Sequence, residues 1–434
     1  MPNADHDRMS APSEPTILID HTGPLEGRVR VPGAKNSVLK LMAAALLTDG
    51  TSEITNVPRI VDVQIMGELL TSIGLEVLEH DGAVTIRQTG TLLTEVPEAP
   101  ARRIRASINL LGPLVGRCGH IRVALPGGDD FGTRPIDLHL AALESMGATC
   151  VITEGILEVH AEALHGADIQ FAFPSVGATE NVVTAAVVAD GTTTIRGAAR
   201  EPEVVDLCNF LLSMGAQISG IGTATLVVEG CSYTSFGDVT HRVVPDRIQA
   251  ATYIAAVGST GGCVDMIDAR ANDMGMFLRR CEEMGLVFEA FDDEATGLRV
   301  EARQRLNAVD IQTLPYPGVA TDYKPLIVAM LAVANGTSIV TENLYPGRFR
   351  YVEELVTLGA QIRMWEHHAE VTGVPRLSGG SVRAHDIRAG AAMVVAGLAS
   401  QGPTVISGVG HIDRGYDDLV GRLRSIGAMI NRVD

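Results

Sequence analysis

SMGAQI at residues 213–218 decides the fold because it is one of six versions of the same phrase. The others are SIGLEV (72–77), SMGATC (145–150), EMGLVF (283–288), TLGAQI (357–362) and SIGAMI (425–430). Their glycines, Gly74, Gly147, Gly215, Gly285, Gly359 and Gly427, are separated by 73, 68, 70, 74 and 68 residues. Such regularity implies six copies of one unit, with a period longer than the roughly 20–50 residues of ordinary solenoid repeats. Each glycine ends an apolar helical run and is followed by strand-forming residues, so it stands where a helix C-terminus needs a residue tolerant of positive φ. A single such glycine is an ordinary helix cap; the sixfold recurrence carries the inference.

The first half of the unit is equally legible. AAALLTDGTSEITNV (43–57), AAVVADGTTTIRGA (185–198) and AMLAVANGTSIVTEN (329–343) all read helix, Gly-Thr turn, strand. The 434 residues are 46% hydrophobic and only 4% aromatic, with 46 Gly, which suits closely packed α/β units built on small aliphatic side chains. One core rarely grows past about 250–300 residues, so the six units are expected as two lobes of three. The predicted division is one discontinuous lobe of residues 16–34 plus 245–434, a second of 35–244 carrying a mobile loop around 126–134, and a disordered tail over 1–15.

Thirty-four Lys and Arg against 52 Asp and Glu give a net charge of −18, which argues against a nucleic-acid partner but leaves room for a local basic pocket. Six cysteines form no CxxC pair and have no histidine at ligand spacing, so neither a metal site nor a disulfide framework is expected. No apolar run approaches the roughly 18 residues of a membrane span, and residues 1–16 lack a signal-like apolar stretch; a soluble cytoplasmic protein is expected.

Within the repeat, residues with chemical potential recur at one position. Lys35, Arg105, Arg247, Asp322 and Arg388 lie 39, 42, 38, 37 and 39 residues before their glycines, each at the predicted start of a helix. A helix N-terminus offers unpaired N–H groups, and an added guanidinium grips planar oxyanions. A lone cation there is disfavoured by the macrodipole, so the recurrence predicts a polyanionic ligand in a cleft where equivalent helix starts meet. The sixth unit begins PSVGATEN around Gly177, and ALPGGDDFGTRPIDLH (124–139) reads as a glycine-rich mobile loop carrying Asp129, Asp130 and Arg134 before a helix starting near Pro135.

With PGAKN (32–36), RASINLLGPLVGR (105–117), LPGGDDFGTRPIDLH (125–139), PSVGATEN (174–181), AAREPEVVDL (198–207), ATD (320–322), DIRAG (386–390) and HIDRGY (411–416) in order, the chain resembles the UDP-N-acetylglucosamine enolpyruvyl transferases. The likeness runs from about Gly23 to the C-terminus. It implies a two-lobed inside-out α/β barrel, three repeats per lobe, of the EPSP synthase-like kind; Lys35-Asn36 stands where the sister shikimate-pathway synthases carry Lys-Ser. It implies transfer of an enolpyruvyl group from phosphoenolpyruvate to the nucleotide sugar in peptidoglycan precursor synthesis, with no cofactor. By the same resemblance Lys35, Arg105, Arg134 and Arg388 hold phosphoenolpyruvate. Asn36 and Asp322 address the sugar hydroxyl, while Arg105, Arg134, Pro135, Ile136, Asp137, Leu138, Ser175, Val176, Gly177 and Tyr345 line the uridine-diphosphate-sugar site. Asp322 is the implied base, Lys35 a catalytic cation, and Asp129 the loop acid in place of the family's usual cysteine.

Two departures stand out: Ala320-Thr321-Asp322-Tyr323-Lys324 replaces the usual Pro-Thr-Asp, hydrophobic residue and Gln, and Gln249 fills a position often acidic. They motivate an alternative acceptor, another uridine nucleotide such as UMP in nucleoside-antibiotic assembly. A catalytically silent nucleotide-sugar binder is weighed against by the retained Lys35, Asp129, Asp322 and Arg388, and a nucleic-acid end-processing enzyme by the net charge.

Overall fold

A computed structural model describes residues 14–128, 135–292 and 296–434. The six repeat glycines all adopt positive φ, between 97° and 120°, where a side chain on Cβ is strained, and each turns a helix into the strand after it. The units build six separate sheets, five of four strands and one of three. All follow one plan. In one, Thr192–Arg196 is flanked by the parallel strand Asp168–Gln170 and by the antiparallel pair Thr225–Glu229 and Gln217–Ser219. In the three-stranded sheet the parallel edge shrinks to a single bridge between Glu95 and Arg122.

Three edges are supplied from distant sequence. Val239–Arg242 runs parallel to Thr51–Thr55 in the first unit, and Leu25–Arg30 parallel to Gly262–Ile267 in the fourth. Thr16–Ile19 lies between Thr404–Ser407 and Ile430–Val433, completing the last unit. The chain thus passes twice between lobes, and the two crossings lie side by side. Gly33 bridges Pro245, Ala34 N–H donates to the Val244 carbonyl at 2.8 Å, and Asp246 N–H to Pro32 at 2.8 Å.

Helices sit inside and sheets outside. A helix apolar on every face must be buried on every face, and all twelve residues of Ile387–Leu398 and all eight of Lys324–Leu331 are buried. These two pack on each other and on Arg247–Thr260 at the centre of one lobe. In the other, Leu111–Cys118 lies on Val176–Ala186 so closely that a Cβ at Gly112 would sit 2.3 Å from the Asn181 carbonyl oxygen. Two apolar cores result, one formed by residues within 17–31 and 248–430, the other within 34–243.

Two local expectations are corrected. Arg105 opens a 3₁₀ segment, Arg105–Leu110, before the α-helix Leu111–Cys118, while the helix expected near Pro135 is Asp137–Ser145. The expected tail reaches too far, because Glu14 pairs with Arg383 at 3.2 Å; residues 1–13 lie outside the described residues.

Candidate active site

A cavity of about 770 Å³ opens between the lobes, and helix starts from both supply its walls. Capping acids make a cation tolerable there. Asp246 accepts from the N–H groups of Ile248 and Gln249 at the start of Arg247–Thr260, and Asp386 caps Ile387–Leu398 through Arg388 and Ala389, both at 2.8 Å. Asp246 also accepts from Lys35 N–H, 3.1 Å across the lobe boundary. Each carboxylate satisfies orphan donors and offsets the positive helix end, which leaves the guanidinium or ammonium to point at the cleft.

Asp322 stands at the centre. Arg348 Nη2 donates to Oδ1 at 2.6 Å, Asn36 Nδ2 reaches Oδ2 from the other lobe at 3.5 Å, and Arg388 Nη2 lies 3.8 Å from Oδ2. Burial alone would raise its pKa, but Arg348 and Arg388 outweigh burial and hold the carboxyl well below the usual carboxylate range. Asp322 is therefore ionised and, in this arrangement, a weak base.

Asp62 is a second hub. Lys35 Nζ pairs with its Oδ2 at 2.9 Å, and Arg414, 352 residues along the chain, grips it from the other lobe at 2.9 and 3.3 Å. Arg247, the cation of the fourth unit, is a bolt between lobes: two nitrogens contact Glu203 at 2.9 and 3.2 Å, and Nη1 donates to the Tyr323 hydroxyl at 3.0 Å.

Pro135, Asp137, Leu138, Ser175, Val176, Gly177 and Tyr345 line the same cavity beside Lys35, Asn36, Arg105, Asp322 and Arg388. Ser175 caps Val176–Ala186 by accepting from Ala178 N–H, and the positive end of that helix faces the cavity. His139 stands beneath: burial, aided by Arg105, lowers its pKa to about 4, so the ring is neutral, and its Nδ1 lies 2.9 Å from Asn181 Nδ2. Ile136, between Pro135 and Asp137, is half-buried and packs against the apolar core, as Leu138 and Val176 also do. Asp129, Asp130 and Arg134, the loop acid, its neighbour and one phosphoenolpyruvate ligand of the sequence reading, lie outside the described residues.

The sequence reading missed Asp62, Arg348, Arg414, Glu203, Lys40 and Glu180, all of which line the cavity. HIDRGY carried the signal for Arg414, and AAREPEVVDL that for Glu203. Glu180 lies 3.1 Å from Lys40; burial nevertheless raises its pKa to about 7.

Six repeated units in two lobes, with cations and one ionised acid facing each other across the cleft, define the class of carboxyvinyl-transferring enzymes. The chain matches the family described as EPSP synthase (3-phosphoshikimate 1-carboxyvinyltransferase) over residues 19–423. It is 48% identical over 411 residues to the UDP-N-acetylglucosamine 1-carboxyvinyltransferase of Mycolicibacterium paratuberculosis, covering 94% of this chain and 97% of that one. To the protein of the same name from Nocardia farcinica it is 47% identical, covering 96% and 98%. Among solved structures, the enolpyruvyl transferase NikO from Streptomyces tendae superposes with a TM-score of 0.87 at 26% identity, covering 97% and 99%. An EPSP synthase from Acinetobacter baumannii, at 17% identity, shares the fold with a TM-score of 0.76, covering 97% and 100%. The chain belongs to the EPSP synthase family and, within it, to the UDP-N-acetylglucosamine 1-carboxyvinyltransferases.

Proposed function

We infer that the protein transfers the enolpyruvyl group of phosphoenolpyruvate to the 3-hydroxyl of UDP-N-acetylglucosamine, releasing phosphate, in cytoplasmic peptidoglycan precursor synthesis. The observation that carries this reading is Asp322, ionised between Asn36 of one lobe and Arg348 and Arg388 of the other. The alcohol oxygen bonds to C2 of phosphoenolpyruvate while C3 gains a proton. A proton at C3 is then lost and the C2–O bond to phosphate breaks, restoring the double bond. Asp322 takes the hydroxyl proton. It becomes a competent base when the phosphate and carboxylate of phosphoenolpyruvate compete for Arg348 and Arg388, which removes the field that depresses its pKa.

Lys35, Arg105 and Arg388 neutralise charge on phosphoenolpyruvate, together with Arg134 by resemblance; we add Arg348 and Arg414, whose geometry faces the same space. Asp129, by resemblance, delivers the proton to C3. The N-terminus of Val176–Ala186 suits the diphosphate. No helix among the described residues is long and apolar enough to cross a membrane.

The 48% identity to a UDP-N-acetylglucosamine 1-carboxyvinyltransferase over 94% of the chain favours the nucleotide sugar over UMP as acceptor. Phosphate release is measured with phosphoenolpyruvate plus either compound, and the product is weighed by mass spectrometry. Turnover of UMP but not of UDP-N-acetylglucosamine would overturn the reading.

A further inference from the structure

Of the 34 basic residues only three are lysines, Lys35, Lys40 and Lys324, and the first two line the cavity. Lys324 does not. It lies directly behind Asp322, where the family pattern has Gln, and both it and Glu342 are 0% exposed. Burying two charges costs more than a plain core residue would, so an ion pair at this depth calls for a reason besides stability.

The contacts supply one. Lys324 Nζ pairs with Glu342 Oε2 at 3.0 Å, donates to the Arg348 carbonyl, and sits 3.6 Å from the Phe349 ring centroid. Glu342 accepts on Oε1 from Thr313 Oγ1 at 2.7 Å and from the N–H groups of Leu344 and Tyr345 at 2.8 and 3.1 Å. On Oε2 it accepts from Thr321 Oγ1 at 2.7 Å. One carboxylate thus ties the segment that carries Asp322 to the cavity-lining loop 344–348. Arg348 closes the circuit, donating to Thr321 at 3.2 Å and to Asp322 at 2.6 Å.

We propose that Lys324, through Glu342 and the Arg348 carbonyl, is a positioning residue that holds Asp322 and Arg348 in register on one wall of the cleft, and that loss of its charge uncouples them. Its activity arm rests on the function proposed above. Glu342, Arg348 and Asp386 are the charged groups that face the ammonium, with Phe349 and Tyr351 as its aromatic walls. Burial lowers the Lys324 pKa to about 8 against the pull of Glu342. The pair is therefore intact below that pH and is lost as pH rises through it.

The test combines pH-rate profiles with NMR of ε-carbon-labelled lysine, which a chain with three lysines makes readable. In the wild type kcat falls as pH rises through about 8, and one lysine signal titrates there. Lys324→Gln removes that signal and that alkaline limb, and lowers kcat at neutral pH by about 3- to 10-fold, with the acceptor KM changed less than about twofold. Glu342→Gln removes the charge that supports the ammonium, so the limb moves to lower pH. A lysine signal that vanishes in Lys324→Gln but titrates near the ordinary value of about 10.4 would overturn the proposal, whether or not the variants fold. So would an alkaline limb identical in wild type and Lys324→Gln. A wild type that turns over neither acceptor would instead refute the functional reading, while the NMR titration still decides on Lys324.

Discussion

Arg388→Ala should separate catalysis from stability. Arg388 is 4% exposed, lies 3.8 Å from Asp322, and keeps Nη1 buried without a hydrogen-bond partner. Asp322 is already served by Arg348 at 2.6 Å, so removing Arg388 leaves it paired, and buried Asp246, which loses the charge of Arg388, keeps its backbone N–H donors. An unsatisfied buried donor is itself destabilising, which offsets much of the cavity left by truncation. On the function proposed above, that same N–H group meets an anionic oxygen of phosphoenolpyruvate. Losing this charge-assisted contact costs about 2–4 kcal/mol, or about 30- to 1000-fold in kcat/KM. Arg388→Met keeps most of the stem volume and should lose as much activity with a smaller change in Tm; Arg388→Lys keeps charge without the planar fork and should fall between. Phosphate-release kinetics and thermal unfolding are read on the same preparations. An alanine variant within about threefold of wild type in kcat/KM, or one whose activity loss is matched by its loss of folded protein, would refute the assignment.

Asp322→Asn should abolish turnover while phosphoenolpyruvate still binds by calorimetry. Since Arg348 and Arg388 outweigh burial and depress its pKa, the stability Asp322 contributes is present above its unfolded value of about 3.9 and lost as pH falls through the folded one; the Asn variant should therefore show a flatter Tm in acid. Tyr323→Phe leaves Arg247 Nη1 without its acceptor inside the lobe junction, and should lower stability by about 1–2 kcal/mol in urea titration with little change in acceptor KM. Fosfomycin acts on the family's loop thiolate, so wild type with Asp129 should resist it and Asp129→Cys should become time-dependently inactivated while staying active; Asp129→Asn should be dead and Asp130→Asn nearly normal. Rapid labelling of a cysteine in wild type would contradict that reading.

The sequence by itself determined the unit and the fold class. Gly74 and its five counterparts answer a local demand, a positive φ between helix and strand, and local demands leave local, countable signals. Helix starts are local too, which is why Lys35, Asp322 and Arg388 could be picked out before any contact was known. What only the tertiary structure decided are the partners. Asp62 meets Arg414 352 residues away, and Glu203 meets Arg247 across the lobes. Lys324 could be read only as a departure from pattern until Glu342 and Phe349 were seen around it. Whether a charge serves ligand, neighbour or lobe junction depends on which distant groups share its low-dielectric surroundings, and that is set by packing rather than by spacing along the chain.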